Sequence, residues 1–123
     1  MTRAEAVILT DHILTFYPGS KGEREAKVKA LYEAYKDYDR EGVTFLIRHY
    51  IHILNKPYYP TMEELETIRL EEIRKAEQLL NDPRNPYYMQ VSPEAGRRRQ
   101  QKLDRAQNVI KLLRPKERPL LKE

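Results

Sequence analysis

Val43, Leu46, Ile47, Tyr50, Ile51 and Leu54 fall at i, i+3, i+4, i+7, i+8 and i+11. That is the spacing of one face of an α-helix, and no other segment of the chain limits the fold as tightly. A half-buried strand would alternate apolar and polar residues, and this segment does not. Phe45 and Ile53 lie away from the stripe, so the helix is expected to be buried on two faces and to form the centre of the core. Asp39 is placed to cap its start, and Lys56-Pro57 ends it.

Helical punctuation recurs on both sides of this segment. Thr2 followed by Glu5 reads as a capping box, opening a helix with Ala6, Leu9, Ile13 and Phe16 on one stripe before Pro18-Gly19 stops it. A second helix is expected from about Glu23 to Tyr35, with Val28, Leu31, Tyr32 and Tyr35 at i, i+3, i+4 and i+7. Pro60 and Thr61, with Glu64 three places on, start a fourth helix over residues 62–80, and Asn81-Asp82-Pro83 stops it. Its apolar residues, from Met62 and Leu65 to Leu79 and Leu80, form a looser stripe. In the junction "NKPYYPTMEEL", Tyr58 and Tyr59 are expected to pack against the third and fourth helices with their hydroxyls in water.

Ser92-Pro93-Glu94 supplies an N-cap and a proline in the first turn, opening a last helix over residues 93–113. Leu103, Ala106, Ile110 and Leu113 form a narrow seam on it, and Pro115 ends it, leaving the tail "PKERPLLKE". The expected fold is all-α. A small bundle of three to four helices occupies residues 1–82, a linker residues 83–91, and a basic C-terminal helical arm residues 92–123. A length of 123 residues suits one domain with such an extension.

Charge is unevenly spread. Residues 1–60 carry 9 basic and 8 acidic side chains, residues 61–82 carry 3 and 7, and residues 83–123 carry 11 and 4. A basic end suggests an acidic partner, either nucleic acid or a protein face, unless it docks on the acidic middle of its own chain. There is no cysteine, which excludes disulfides and thiolate metal sites and fits an intracellular location. No run approaches the length of a membrane span. The first sixteen residues carry Asp11 and His12 within their apolar stretch, so they read as part of the folded domain rather than a signal peptide.

Catalytic and metal chemistry find little support. His49 and His52 stand at i, i+3, which places them on one helix face, and His12 is the third histidine. They lack an HExxH pattern and an acidic partner, so they read as packing residues. The piece "GSKG" lacks the Lys-Ser/Thr ending of a phosphate loop. The clusters Glu63-Glu64-Glu66 and Glu71-Glu72 read as a solvated helix face. No nucleophile has an identifiable base. The chain is expected to be no enzyme and to use no cofactor.

The binding candidates lie near the C-terminus. Arg97, Arg98, Arg99 and Arg105, with Lys102, spread around the last helix, and Tyr87 and Tyr88 lie just before it. Three readings stand for this region. It can be a protein-binding arm, with Leu103, Ile110 and Leu113 as apolar anchors, the arginines for charge, and Leu120 and Leu121 as a terminal plug. It can be a packed helix with snorkelling arginines. It can be a single-strand nucleic-acid platform, with phosphates on arginine and bases on tyrosine.

Residues 8–68 resemble the small helicase loader/inhibitor proteins of tailed phages of Gram-positive bacteria. Four pieces in order carry the resemblance: "FYPG" (Phe16 to Gly19), "KVKALYEAYKDYD" (Lys27 to Asp39), "VTFLIRHYIHILNK" (Val43 to Lys56) and "YPTMEEL" (Tyr59 to Leu65). The family has a tryptophan in the second helix where Leu31 or Tyr32 stands here. The resemblance implies a non-enzymatic adaptor in the cytoplasm of the infected host, with a helical N-terminal domain and a flexible arm. It would bind the DnaB-type hexameric replicative DNA helicase, hold it inactive and deliver it to an origin-bound replication initiator. A phage regulator of host RNA polymerase and a small helical nucleic-acid-binding protein remain the alternatives, with weak nucleic-acid contact left open and no membrane partner expected.

Overall fold

The structure, a computed structural model, describes residues 1–20, 22–81 and 93–115. Among them are five α-helices and no strand: α1 (Arg3–Phe16), α2 (Arg24–Tyr35), α3 (Arg40–Arg48), α4 (Met62–Leu80) and α5 (Pro93–Leu113). A 3₁₀ turn (Pro18–Ser20) follows α1, and α3 runs on without a break into a π-helical segment (His49–Leu54). The all-α expectation holds. Contacts divide the chain into one compact unit built on Met1–Ile68 and another on Arg69–Leu113, with the boundary inside α4.

In the first unit, the helix starts follow from local chemistry. The Glu5 N–H donates to Thr2 Oγ1 at 3.1 Å and the Thr2 N–H to Glu5 Oε1 at 2.8 Å, a reciprocal capping box that satisfies two otherwise orphaned donors. The same device opens α4: the Glu64 N–H donates to Thr61 Oγ1 at 3.1 Å and the Thr61 N–H to Glu64 Oε1 at 3.0 Å. Asp39 occupies the N-cap position of α3 in extended conformation, although its side chain makes no capping bond.

The core of this unit joins one face from each helix. Ala6, Leu9 and Ile13 of α1 are buried together with Val28, Leu31 and Tyr35 of α2 and with Val43, Leu46 and Ile47 of α3. Leu65 and Ile68 of α4 belong to the same unit and are also buried. Across the surface, Arg24 grips Asp11 with a bidentate pair, Nε to Oδ1 at 2.7 Å and Nη2 to Oδ2 at 2.8 Å, tying α2 to α1.

Two expectations about burial are corrected. Phe16 is 44% exposed, and Leu14 is buried in its place at the end of α1. The central helix is buried on one face only: Ile53 is 69% exposed, Leu54 is 42% exposed and Phe45 is half-buried. For Ile53 and Leu54 the π-helical segment is the physical reason. The Asn55 N–H bonds the Tyr50 carbonyl five residues back, at 3.0 Å, so each residue of the wider turn advances by less than the ~100° of an α-helix. Leu54 lags to the edge of the stripe, and Ile53 is carried round to the outer side. Asn55 then takes a left-handed conformation (φ 49), one that asparagine tolerates better than most residues.

The π turn also separates the two histidines that α-helical spacing would place on one face. The His52 ring meets Phe16 edge-on at 5.5 Å, whereas the His49 ring lies 6.3 Å from Phe45.

Candidate functional site

The second unit is a hairpin of the C-terminal half of α4 and all of α5. Glu94 in the first turn of α5 and Lys111 in its last turn complement the helix dipole. Gln100 Nε2 donates to Asp104 Oδ1 at 2.9 Å, one turn along the same helix. Leu113 is fully buried, and its carbonyl, near the helix end where no intrahelical donor remains, accepts from Arg69 Nη1 of α4 at 3.2 Å. Ala76 of α4 and Ala106 of α5 are both buried. Their small side chains leave a depression beside them.

That depression is a shallow groove of ≈ 240 Å³. Its floor is Ala76 and Leu79 from α4 with Ala106 and Val109 from α5, and cations stand at its rim: Lys75 on one side, Lys102 and Arg105 on the other. Glu72 also lines it and pairs with Lys75 at 3.3 Å. On α5, Arg98, Lys102, Arg105 and Val109 fall at i, i+4, i+7 and i+11, so they share one stripe flanking the buried face. The first three are exposed and Val109 is half-buried.

The residues expected to bind a partner therefore occupy different places. Arg97, Arg98 and Arg105 are exposed, Arg99 is half-buried on the packed side, Leu103 and Ile110 are half-buried, and Leu113 is wholly buried. Tyr87, Tyr88, Leu120 and Leu121 lie outside the described residues. Sequence reasoning missed Lys75, Leu79 and Val109 as groove residues. The i, i+4, i+7, i+11 spacing on α5 was the available signal, whereas the contribution of α4 needed the packed hairpin.

The aromatic junction "NKPYYPT" is built into the first unit. Tyr50, fully buried, donates its hydroxyl to the Tyr58 carbonyl at 2.7 Å, and Tyr17 donates to the Lys56 carbonyl at 2.9 Å. Tyr58 and Tyr59 were expected to keep their hydroxyls in water; the structure corrects this for Tyr59, which is half-buried, whereas Tyr58 stays exposed. The Tyr58 hydroxyl donates to Glu64 Oε2 at 3.0 Å, because the capping carboxylate has a second oxygen to offer. Tyr59 is half-buried between the Tyr17 ring at 6.4 Å and the Lys27 ammonium at 5.2 Å, so it packs toward α1 and α2. Burial pushes its hydroxyl pKa up to about 12. Burial likewise raises Tyr50.

Around this junction four large apolar side chains stay exposed: Phe16, Ile53, Leu54 and Tyr58. Among the described residues no three His, Asp or Glu side chains gather into a set that could hold a metal ion. No helix among them is long and apolar enough to cross a membrane. No family model, no curated protein and no solved structure matches this chain.

Proposed function

We propose that this protein is a non-enzymatic adaptor of phage DNA replication. It binds the hexameric replicative helicase, holds it inactive and delivers it to an origin-bound initiator. The observation that carries this reading is the layout of the chain. All four pieces of the family resemblance lie in the unit built on Met1–Ile68, three of them at helix ends: "FYPG" closes α1, "KVKALYEAYKDYD" closes α2 and "YPTMEEL" opens α4. The fourth, "VTFLIRHYIHILNK", forms the central helix. The second unit carries an exposed basic stripe beside an apolar groove, a surface suited to a protein partner. Exposed arginines at such a surface contribute orientation and association rate more than raw affinity, which fits a loader that must later release its cargo.

The test is direct mixing of the full-length chain with a DnaB-type hexamer, followed by light scattering across a sizing column and by ATP hydrolysis. A stable complex with reduced hydrolysis is expected. Absence of a complex removes the loader reading. Capture of host RNA polymerase in place of helicase from an infected-cell lysate would assign the protein to transcription.

A further inference from the structure

We propose that the groove between α4 and α5 is a docking site for an acidic amphipathic helix of a protein partner. The proposal deepens the adaptor reading and rests on it only in taking the partner to be a protein. Helix-in-groove recognition needs an apolar trough that receives side chains at i, i+3, i+4 and i+7, with charges at its edges that select the partner. Both are present. The floor is aliphatic, from Ala76, Leu79, Ala106 and Val109, and its volume of ≈ 240 Å³ leaves room for side chains rather than a second backbone. The two alanines are what make the trough, since larger residues at both positions would fill it.

The rim decides the sign of the occupant. Three cations line the groove against one carboxylate, Glu72, which already pairs with Lys75. Lys102 and Arg105 are exposed, and Arg98 extends their stripe one turn toward the start of α5. A helix bearing glutamates or aspartates beside its leucines matches this pattern, while a basic helix would set like charges against each other, a costly arrangement at an interface. A single nucleic-acid strand fits less well. Base stacking requires aromatic faces, and the described residues of this hairpin contain none.

The test uses the full-length chain and a labelled model peptide with leucines at i, i+3, i+4 and i+7 flanked by glutamates. Three controls accompany it: the same peptide with lysines for glutamates, a scrambled peptide of the acidic composition, and an oligothymidylate of similar charge. The acidic amphipathic peptide is expected to bind and the three controls to fail. Lys102→Glu with Arg105→Glu should weaken binding at least about tenfold. Lys102→Gln with Arg105→Gln, which keeps good helix formers at both positions, should weaken it by less, with the helical circular dichroism unchanged. Equal binding of the scrambled peptide would reduce the groove to a charge effect and overturn the proposal, as would tighter binding of the oligonucleotide. Loss of a self-associated form in the charge-reversed variant would assign the groove to a second copy and also overturn it. Helicase binding without peptide binding removes the groove and leaves the adaptor reading; peptide binding without helicase binding does the reverse.

Discussion

The Tyr50 hydroxyl donates a 2.7 Å hydrogen bond to the carbonyl of Tyr58, eight residues on, from a side chain with no exposed surface. The bond fastens the start of the π-helical segment to the loop that enters α4. Removing it with Tyr50→Phe keeps the ring and strands a part-buried carbonyl, so a loss of about 1–2 kcal/mol is expected in urea unfolding. Tyr58→Phe removes only an exposed hydroxyl bond and should cost less. Equal losses for the two variants would show that the Tyr50 bond does not hold the junction.

Glu64 makes the same junction sensitive to acid. Burial works to raise its carboxyl, but the N–H and hydroxyl of Thr61 and the hydroxyl of Tyr58 outweigh it and hold the pKa below the ordinary 4.5. A depressed folded pKa contributes stability that is complete above the unfolded value and lost as pH falls through the folded one. Asp11, lowered by its hydrogen bonds to Arg24, acts in the same direction. Thermal melts of the native chain should therefore fall once the pH drops below about 4.5, and Glu64→Gln should flatten that decline. Thr61→Ala removes the cap itself and should cost ~1 kcal/mol at neutral pH. An unchanged acid limb in Glu64→Gln would place the sensitivity elsewhere.

Much of this architecture was legible because helix ends are written in local chemistry. Thr2 with Glu5 and Thr61 with Glu64 announce capping boxes, and both form. The stripe from Val43 to Ile51 announces a buried face, and it is buried. The π segment was not legible, since a hydrogen bond reaching five residues instead of four leaves no mark in composition. Leu54, Ile53 and the His49–His52 pair were misplaced for that one reason. On α5, three consecutive arginines point in different directions, while the organised stripe is Arg98, Lys102 and Arg105, spaced by one-turn steps. The opposite wall of the groove, Lys75 to Leu79, comes from a helix distant in sequence, so only packing could bring it there.

Alkaline titration offers an independent reading of the tyrosine junction. Burial, with a smaller push from Asp11, raises Tyr59 to about 12, and burial raises Tyr50 as well. Raised folded values mean stability that is complete below the unfolded pKa of 10 and lost as the pH climbs toward the folded values. Tyrosinate absorbance should rise in two stages, exposed residues first, with a late fraction appearing as the chain unfolds. Tyr59→Phe should shrink that late fraction. A single reversible step near 10 with helicity intact would contradict the buried placement.

Leu113 tests the second unit by itself. Its side chain is wholly buried, and the Arg69 guanidinium donates to its carbonyl, so it closes the hairpin of α4 and α5. Leu113→Ala leaves a cavity at that closure and should cost about 2–5 kcal/mol locally. Hydrogen exchange should then show the amides of α5 losing protection while those around Val43 to Tyr50, in the other unit, keep theirs. Such a pattern would make Leu113 a packing residue whose effect on any partner passes through the shape of the groove. Peptide binding would fall with the loss of α5 order, whereas Lys102→Gln with Arg105→Gln should weaken binding with α5 protection unchanged. Uniform loss of protection across both units would mean that the chain unfolds as one cooperative body and that the hairpin has no stability of its own.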